Sequence, residues 1–494
     1  MDARDFAGFT SQHSSNLIWG GVKYMESYQF GLVAELCRSR NELMRRFPSA
    51  IREIRFLTTI PRGFRHHPAM LWAGSWLYWL IGRGHTRPPR YLRAGTIGNV
   101  EPVIDTNHST GGLEYSDAYL FDNDARFVFG FIRSALEQGC LAANYVEAEE
   151  MQSTAEGWRV MAKDGVSGRP LEIRCRVLVN AAGAFVDSLN AAAGIYSGYR
   201  HVLSKGVHLV VPRIGDSGKV LAFFADDGRL FFAIPMGNRT CIGTTDTRVD
   251  TPDTTVTDRD RDFILSNINA RLNLPRPLSR SDIIAERCGV RPLVVPRGGD
   301  ATMDFLQLSR RHVVETDGEG RQISIFGGKL TDCVNVGEEV CRQVAGLGVP
   351  LARRPSHWCV EPGKGERAAF LERAREAGFA DDRAPDTGES LAERLWRRYG
   401  RKAGAMLEAV VRDPALAAPA IAGTGLRRCE IDHLRDREMI VTLADLLRRR
   451  SKLALLYRHE ELMAMEGMAE LCDRLFGNQG RAKFEDYFGG GAAD

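Results

Sequence analysis

The pattern of apolar and polar positions changes character late in the chain. Up to about residue 350, short apolar runs bounded by Gly, Pro and Asp predict strands, and apolar residues spaced three or four apart predict helices between them. The clearest elements are strands at 176–180, 208–212, 230–235 and 323–326 and helices at 124–137 and 331–344. This mixture is typical of an α/β fold with an antiparallel central section.

Beyond about residue 355 the strand patterns stop. Segments rich in Arg, Glu, Leu and Ala predict helices at 366–377, 390–399, 403–411, 431–456 and 460–476. Three prolines between residues 350 and 362 mark the junction, because proline and the residue before it resist helix continuation. We therefore expect a first domain over residues 1–354, a helical C-terminal domain over 355–488 and a disordered Gly-rich tail over 489–494.

One uncharged segment, residues 70–81, carries three tryptophans and is bordered by histidines and arginines. As a helix it would place Trp72, Trp76 and Trp79 on one face, at i, i+4 and i+7. A run of this length is either a buried core helix or a helix at a membrane interface, where Trp rings are favoured. The sequence supports the two interpretations equally.

Composition narrows the class of protein. The 494 residues are 44% apolar and 26% charged, as in soluble globular proteins, and their number favours two or three domains. A net charge of +3 gives no general attraction for nucleic acid, so no nucleic-acid partner is expected. The ten cysteines show no C-x-x-C pair, so neither a metal site nor disulfides are predicted. No signal peptide or membrane-spanning run is visible, and we expect a cytoplasmic protein.

Two strand-to-helix turns are built from small residues. The strand pattern at 323–326 ends at Gly327 and Gly328, followed by Lys329 and a helical pattern, and residues 177–180 run in the same way into small residues at 181–183. Glycines free the backbone N–H groups of such a turn, and a helix start adds partial positive charge. Each turn therefore suits an anionic ligand, although either alone could simply connect a strand to a helix.

Arg291 stands between Gly289 and Pro292 with apolar neighbours. Its planar guanidinium suits a phosphate or a carboxylate, and a buried structural ion pair is the alternative that the motif alone slightly favours. Near the start of the chain, residues 5–24 combine small hydroxyl residues, a pair of glycines and Lys23. Such a segment lets the backbone approach a large anionic ligand closely.

Taken together, these motifs resemble the flavin-dependent, respiratory glycerol-3-phosphate dehydrogenases, which belong to the D-amino-acid-oxidase-like flavoproteins. The matching segments follow one order along nearly the whole chain, at 10–26, 114–117, 124–126, 179–183, 204–208, 242–246, 289–293, 326–331, 436–438 and 444–450. The resemblance implies an α/β (α+β) fold. It would contain an incomplete Rossmann-like FAD-binding domain, interleaved with an antiparallel-sheet substrate domain, and a helical C-terminal domain.

The resemblance also assigns roles to residues. It implies noncovalently bound FAD, with Arg291 and Lys329 as catalytic residues and with Lys23, Tyr24, Arg291 and Lys329 binding the substrate. The residues that it assigns to FAD are Asp2, Thr10, Ser11, Ser14, Ser15, Gly20, Gly21, Ala182, Gly183, Gly327, Gly328, Lys329, Leu330 and Thr331.

The implied reaction is the oxidation of sn-glycerol 3-phosphate to dihydroxyacetone phosphate by hydride transfer to flavin N5. Cationic side chains near the flavin would stabilise its reduced, anionic form. The implied partners are a small phosphate ester as substrate and a membrane quinone as electron acceptor. A peripheral contact with the inner face of the cytoplasmic membrane and a homodimer remain open.

Three features depart from the family pattern. Trp19 stands where the family usually has His, and Lys23 stands where it usually has Arg, so an acid–base group and a bidentate contact are lost. Asp2 aligns with the acidic residue that binds the ribose, and the strand and G-x-G-x-x-G turn of the first βαβ unit are missing before it. His13 and His208 remain as candidate acid–base groups.

These departures keep two alternatives open. One is a flavoprotein that oxidises another small hydroxy acid or polyol phosphate. The other is an inactive truncated paralogue with reduced FAD binding. The missing first unit would be explained instead if the natural protein is longer and its start was assigned too late.

Overall fold

Two packed regions, one built on a large mixed sheet and one helical, form the computed structural model of the chain. The structure describes residues 1–225, 228–252, 254–298, 311–317, 319–351, 361–379 and 381–490. The boundary expected between residues 354 and 355 lies outside the described residues, as do residues 491–494 of the expected tail.

The strands in the described residues are β1 (Leu17–Ile18), β2 (Ile51–Pro61), β3 (Arg90–Leu92), β4 (Ser109–Leu120), β5 (Val146–Thr154), β6 (Gly157–Asp164), β7 (Pro170–Cys175), β8 (Leu178–Asn180), β9 (Tyr199–Pro212), β10 (Val220–Phe224), β11 (Leu230–Met236), β12 (Arg239–Gly243), β13 (Thr247–Val249), β14 (Ala285–Pro296), β15 (Val313–Asp317) and β16 (Gln322–Phe326).

The α-helices there are α1 (Phe30–Arg46), α2 (Pro68–Ile81), α3 (Ala94–Val100), α4 (Asp124–Glu137), α5 (Val186–Ala192), α6 (Asp258–Asn269), α7 (Cys333–Gly346), α8 (Lys364–Glu376), α9 (Leu391–Tyr399), α10 (Ala403–Arg412), α11 (Ile431–Arg437), α12 (Leu453–Leu456), α13 (His459–Ala464), α14 (Met468–Phe476) and α15 (Gly480–Gly489). Short 3₁₀ turns at Thr10–His13, Val22–Met25, Gly183–Phe185 and Leu330–Asp332 carry residues of interest below.

The large sheet has the strand order β1-β4-β2-β10-β11-β12-β9-β13, with β14 also paired to β9 and β3 to β4. Its pairings are antiparallel except for β10 beside β2. Two smaller sheets lie beside it, an antiparallel β5-β6-β7 sheet and a sheet of order β15-β16-β8 in which β16 runs parallel to β8. The α/β class expected from the sequence, with an antiparallel central section and a helical C-terminal region, is confirmed.

Both faces of the large sheet are covered by protein. Successive residues of a strand point to opposite faces, and here both directions lead into apolar clusters. Phe56 and Val210 pack on one side, whereas their neighbours Leu57 and Val211 pack on the other. The central strands of the sheet therefore form an internal layer that is packed on both faces.

The helical region differs in detail from the sequence-based expectation. The prediction of a single helix at 431–456 was wrong. Helix α11 ends before Met439, whose φ is 51°, and a π-helical segment (Asp445–Arg450) and α12 follow. The helix expected at 460–476 is likewise divided into α13 and α14, with Gly467 between them. Local apolar spacing missed both breaks, because buried Asp445 accepts from the main-chain N–H groups of Val441 and Thr442 at the first and Gly467 has a φ of 90° at the second.

A buried ion cluster joins the two ends of the chain. The Asp5 carboxylate accepts hydrogen bonds from Arg449 at 2.8 Å and from Arg450 at 2.7 and 2.8 Å. Arg450 also donates to the main-chain carbonyl of Glu438, and the Glu438 carboxylate pairs with Arg126 of α4. All five side chains are at most 7% exposed. This cluster holds the N-terminal segment against the helical region.

We predict that Asp5→Asn lowers the free energy of unfolding by about 3–5 kcal/mol, because two buried guanidinium groups would lose their shared carboxylate. Chemical unfolding followed by circular dichroism measures the change. The exposed pair Arg481–Glu485 of α15 provides a control; Arg481→Ala should leave the free energy of unfolding nearly unchanged, because water screens an exposed pair. Equal effects of the two substitutions would contradict the prediction.

Candidate functional site

Two small-residue turns open at the same edge of the β15-β16-β8 sheet. In the parallel pair β8 and β16, Asn180 lies opposite Ser324, so the carboxyl ends of the two strands are neighbours. Gly327 and Gly328 follow β16 with φ of 65° and 100°, a region that favours glycine. A side chain at Gly183, after β8, would meet no atom within 4 Å. The Gly183 turn therefore borders open space at a strand end, where α/β sheets bind ligands.

His201 of β9 fixes the Gly327 turn. Its Nε2 accepts a hydrogen bond from the Gly327 N–H at 3.1 Å, and its ring lies 5.2 Å from that of Phe326. The Asp187 carboxylate of α5 lies 2.8 Å from Nδ1 of His201. Burial alone would raise the pKa of Asp187, but its contacts with His201 lower that pKa overall. Nothing in the sequence pattern pointed to this arrangement.

Lys329, directly after the turn, reaches an aromatic group formed by the N-terminal segment. Its Nζ donates a hydrogen bond to the Tyr24 hydroxyl and lies 5.8 Å from the centre of the Trp19 ring. Tyr24 belongs to the 3₁₀ turn that begins after Gly21, and the rings of Trp19 and Tyr24 are 6.0 Å apart. The fold thus brings together Trp19, Tyr24 and Lys329, three residues that the sequence analysis had selected from two distant segments.

Arg291 lies at the far end of the same group. On β14 it is paired with Ser204 of β9, and its guanidinium passes so close to Gly206 that a Cβ there would lie 2.1 Å from Nη2. Nη2 donates to the Thr244 hydroxyl at 3.0 Å, and Nη1 is 3.5 Å from the Asp246 carboxylate. The arginine is therefore held in place by the connection between β12 and β13 rather than loose on the surface.

Phe232 of β11 connects the two halves of the site. Its ring is 6.3 Å from that of Trp19, and its strand partner is Gly243, the residue before Thr244. Sequence reasoning missed Phe232, because its place in an apolar strand gave no sign that it contacts Trp19.

A buried polar cluster supports the segment that carries Trp19. The Gly20 N–H donates to the Asp117 carboxylate at 3.1 Å, and Asp117 pairs with Arg40 at 2.6 Å and with the Tyr78 hydroxyl at 2.9 Å. Burial raises the pKa of Asp117, although Arg40 opposes that shift. The 114–117 motif thus holds Trp19 and the two glycines in position.

The other N-terminal residues assigned to FAD lie on the surrounding framework. The Thr10 hydroxyl donates to the Val290 carbonyl at 2.7 Å, which ties the first 3₁₀ turn to β14. The Ser14 hydroxyl accepts from the Asn16 N–H at 3.3 Å, and Ser11 and Ser15 are half-buried nearby. Leu330 packs into an apolar cluster and Thr331 is buried.

Asp2 lies away from the turns, beside the β5-β6-β7 sheet. Its main chain exchanges hydrogen bonds with Ala143 and Val146, and its carboxylate accepts from the Arg4 N–H at 3.1 Å. Burial raises its pKa. A contact between Asp2 and a ribose therefore stays a prediction.

The two candidate acid–base histidines are held neutral. His208 of β9 is buried opposite Gly243, and burial, followed by the charges of Arg287 and Arg291, holds its pKa well below the usual value. Burial and the Arg448 guanidinium lower the pKa of His13 in the same way. Both rings are neutral proton acceptors, but their lowered pKa values make them weak bases; His208 is the one whose shift includes the charge of Arg291.

Comparison with known proteins identifies the family. Residues 1–331 match the family described as FAD dependent oxidoreductase, and residues 364–482 match the C-terminal domain of alpha-glycerophosphate oxidase. The chain belongs to the FAD-dependent oxidoreductase family. The chain is thus an FAD-dependent enzyme with the two-part architecture seen in the structure.

Individual relatives narrow the likeness further. The chain is 32% identical to a glycerol-3-phosphate dehydrogenase of Pseudomonas tolaasii, with 92% of this chain and 87% of that protein covered. It is 29% identical to a D-erythritol 1-phosphate dehydrogenase of Brucella abortus, with 91% and 88% covered. The fold matches that of a glycerol-3-phosphate dehydrogenase from Bacillus halodurans complexed with FAD, with a TM-score of 0.72, 23% identity, and 99% and 87% of the chains covered.

The residues present fit FAD at the open edge of the small sheet. The Gly183 turn borders open space, the Gly327–Gly328 turn lies beside it with glycines at positive φ, and Lys329 adds a positive charge there. The residues that would hold FAD there stay predictions: Ala182, Gly183, Gly327, Gly328, Lys329, Leu330 and Thr331. The residues Asp2, Ser11 and Ser15 stay predictions as ligands of its other end.

His312 links the turn that carries Lys329 to α7 and, through Asp332, to α1. His312 lies 2.7 Å from the Asp332 carboxylate and 2.9 Å from that of Glu339, one at each ring nitrogen. These two partners raise the pKa of His312 to about 9, against the opposing effect of burial. Asp332 also accepts from Asn335 and from Ser39 of α1. The protonated ring therefore braces the turn that carries Lys329.

We predict that this brace stabilises the fold only while His312 is protonated. The pKa rises from 6.5 to about 9 on folding, so the contribution is complete below pH 6.5 and is lost as the pH rises through about 9. The difference in unfolding free energy between wild type and His312→Gln should shrink over that range. The exposed His108→Gln is the control, and a difference that does not change with pH would refute the prediction.

Proposed function

We propose that the chain oxidises sn-glycerol 3-phosphate to dihydroxyacetone phosphate with FAD. The observation that carries the proposal is the contact series from Lys329 through Tyr24, Trp19 and Phe232 to the strand end that holds Arg291. It sets two cations around an aromatic wall beside the turns that fit FAD. A small phosphate ester matches this combination of charge and restricted space.

The side chains have distinct tasks in this proposal. Arg291 and Lys23 bind the phosphate, because a guanidinium forms two parallel bonds to its oxygens and an ammonium adds a point charge. Lys329 lies at the turn and stabilises negative charge on the reacting oxygen. The candidate acceptor of the hydroxyl proton is His208, whose lowered pKa makes it a weak base.

Bound FAD supplies the two-electron oxidant. The aromatic wall formed by Trp19, Tyr24 and Phe232 keeps water from the reacting carbon, which strengthens the interactions of the charged groups.

A dye-linked assay of the purified chain with glycerol 3-phosphate, glycerol and 2-hydroxy acids tests the proposal. We expect activity with the phosphate ester alone. Arg291→Ala should raise its KM by roughly 10- to 150-fold, the equivalent of a lost charge-assisted contact of about 1.5–3 kcal/mol. Lack of activity with glycerol 3-phosphate would refute the substrate, and an unchanged KM would refute the role of Arg291.

A second substrate, a longer polyol phosphate, is favoured by Trp19 and Lys23. These are the positions at which the chain departs from the family pattern, and one relative is named D-erythritol 1-phosphate dehydrogenase. D-erythritol 1-phosphate therefore belongs in the same assay. A higher kcat/KM for it than for glycerol 3-phosphate would favour this alternative.

We also propose that electrons pass to a membrane quinone and that α2 contacts the membrane. Among the described residues no helix has the length and apolarity to span a bilayer. In α2, Ser75 and Tyr78 are buried, whereas four large apolar side chains are 43–61% exposed: Met70, Trp72, Leu77 and Leu80. Exposed arginines flank the helix at both ends, at positions 62, 65, 83 and 87. This arrangement supports the interfacial interpretation of the Trp-rich segment.

We predict that Trp72→Ser combined with Leu77→Ser and Leu80→Ser abolishes binding to anionic phospholipid vesicles, because the apolar face would be lost. The dye-linked activity in solution should remain, since these side chains face away from the site. Sedimentation with vesicles measures binding. The control is Leu141→Ser, the same substitution at a leucine that lies outside α2 and is 96% exposed. Vesicle binding by the triple variant at the wild-type level would disprove the contact.

A further inference from the structure

A charged cavity lies on the opposite side of the large sheet from Trp19. Tyr115 and Asp117 of β4 face the Trp19 side, so Glu114 and Ser116 face the other, because side chains alternate along a strand. The cavity there has a volume of about 470 Å³. Its charged lining residues are Glu53, Arg55, Arg87, Arg90, Glu114 and Lys219.

The cations outnumber the carboxylates in this cavity. Three of them share the single carboxylate of Glu114: Arg55 at 3.0 Å, Lys219 at 3.3 Å and Arg90 at 3.7 Å. Arg87 pairs with Glu53 at 3.1 Å. Four cations against two carboxylates leave two positive charges without counter-charges in the cavity. Burial alone would raise the pKa of Glu114, but Arg55 and Lys219 lower it overall, so this carboxylate is ionised.

The cations divide into structural and available ones. Arg55 is buried and donates to Glu114, to the Ser116 hydroxyl and to the Pro88 carbonyl, so its donors hold the cavity together. Arg90 is different. Its side chain is 68% exposed. Within the part of the chain that the structure describes, its nearest ionic contact is with Glu114, at 3.7 Å. Arg90 can therefore turn its donors towards a ligand, and Lys219, paired with Glu114 at 3.3 Å, adds a charge at the same place.

We propose that this cavity is a second anion site and that it binds a phosphate monoester. The dianion carries the charge that the cavity lacks, and arginine with lysine offers both a planar fork and a point charge to its oxygens. The volume lies within the range of small-molecule sites. The site is separate from the substrate group, because the sheet lies between them, and it does not depend on the reaction proposed above.

Calorimetric titration of the FAD-loaded full chain with inorganic phosphate tests the site. In Lys23→Gln, which weakens the substrate site, we expect one phosphate site to remain. Adding Arg90→Gln or Lys219→Gln should raise its Kd at least tenfold, and adding both should abolish it. Arg93→Gln, an exposed arginine three residues from Arg90, is the matched control and should bind phosphate unchanged. Thermal unfolding of each variant verifies that it is folded.

The same variants distinguish the two sources of a phosphate monoester. Sedimentation with phosphatidylcholine vesicles, with and without phosphatidic acid, measures how much that lipid adds to binding. If wild type binds no free phosphate, but phosphatidic acid increases its binding to vesicles and the double variant loses that increase, the site takes a lipid headgroup. If wild type binds free phosphate, the site takes a soluble ester. If the double variant binds both probes as wild type does, the proposal is refuted.

Discussion

The burial of charge at Asp5 is the constraint on which the rest of this structure depends. A carboxylate removed from water must be paired and hydrogen-bonded, and Asp5 meets this requirement with Arg449 and Arg450, which lie 444 and 445 residues further along the chain. The N-terminal segment is therefore fixed against the helical region rather than left as a loose end. With that segment fixed, the turn that carries Trp19, Gly20 and Tyr24 has a defined position beside the sheets.

The large sheet provides the second constraint. Its central strands are packed on both faces, so the candidate substrate site uses strand ends and the turns that follow them. Lys329 and the Gly327 turn come from one such end, and Arg291 crosses another strand where Gly206 leaves room for it. The aromatic rings of Trp19 and Phe232 fill the space between them. The result is a site of cations on a rigid, largely apolar support.

Charge is distributed locally in this protein. The net charge of +3 is small, yet cations accumulate at the candidate substrate group and in the cavity behind β4, while the exposed face of α2 carries none. Local excess charge in a concave, partly desolvated place attracts small anions far more selectively than a general positive charge would. The same reasoning explains why His208 is neutral, since burial and neighbouring guanidinium groups both disfavour its protonated form.

The sequence by itself determined the elements whose information is local. Strand β16 with its glycine turn and helix α4 follow from apolar periodicity and from residues that are adjacent in the chain. The roles suggested for Lys329 and Arg291 come from the resemblance of their motifs to the family and stay predictions. The tertiary structure alone decided the contacts between distant segments: Asp5 with Arg450, His201 with Gly327, and Phe232 with Trp19. It also decided which side of α2 is exposed, and it broke the helix expected at 431–456. The physical reason is that buried ion pairs and ring contacts depend on how whole elements pack, and apolar spacing within one segment carries no record of that packing.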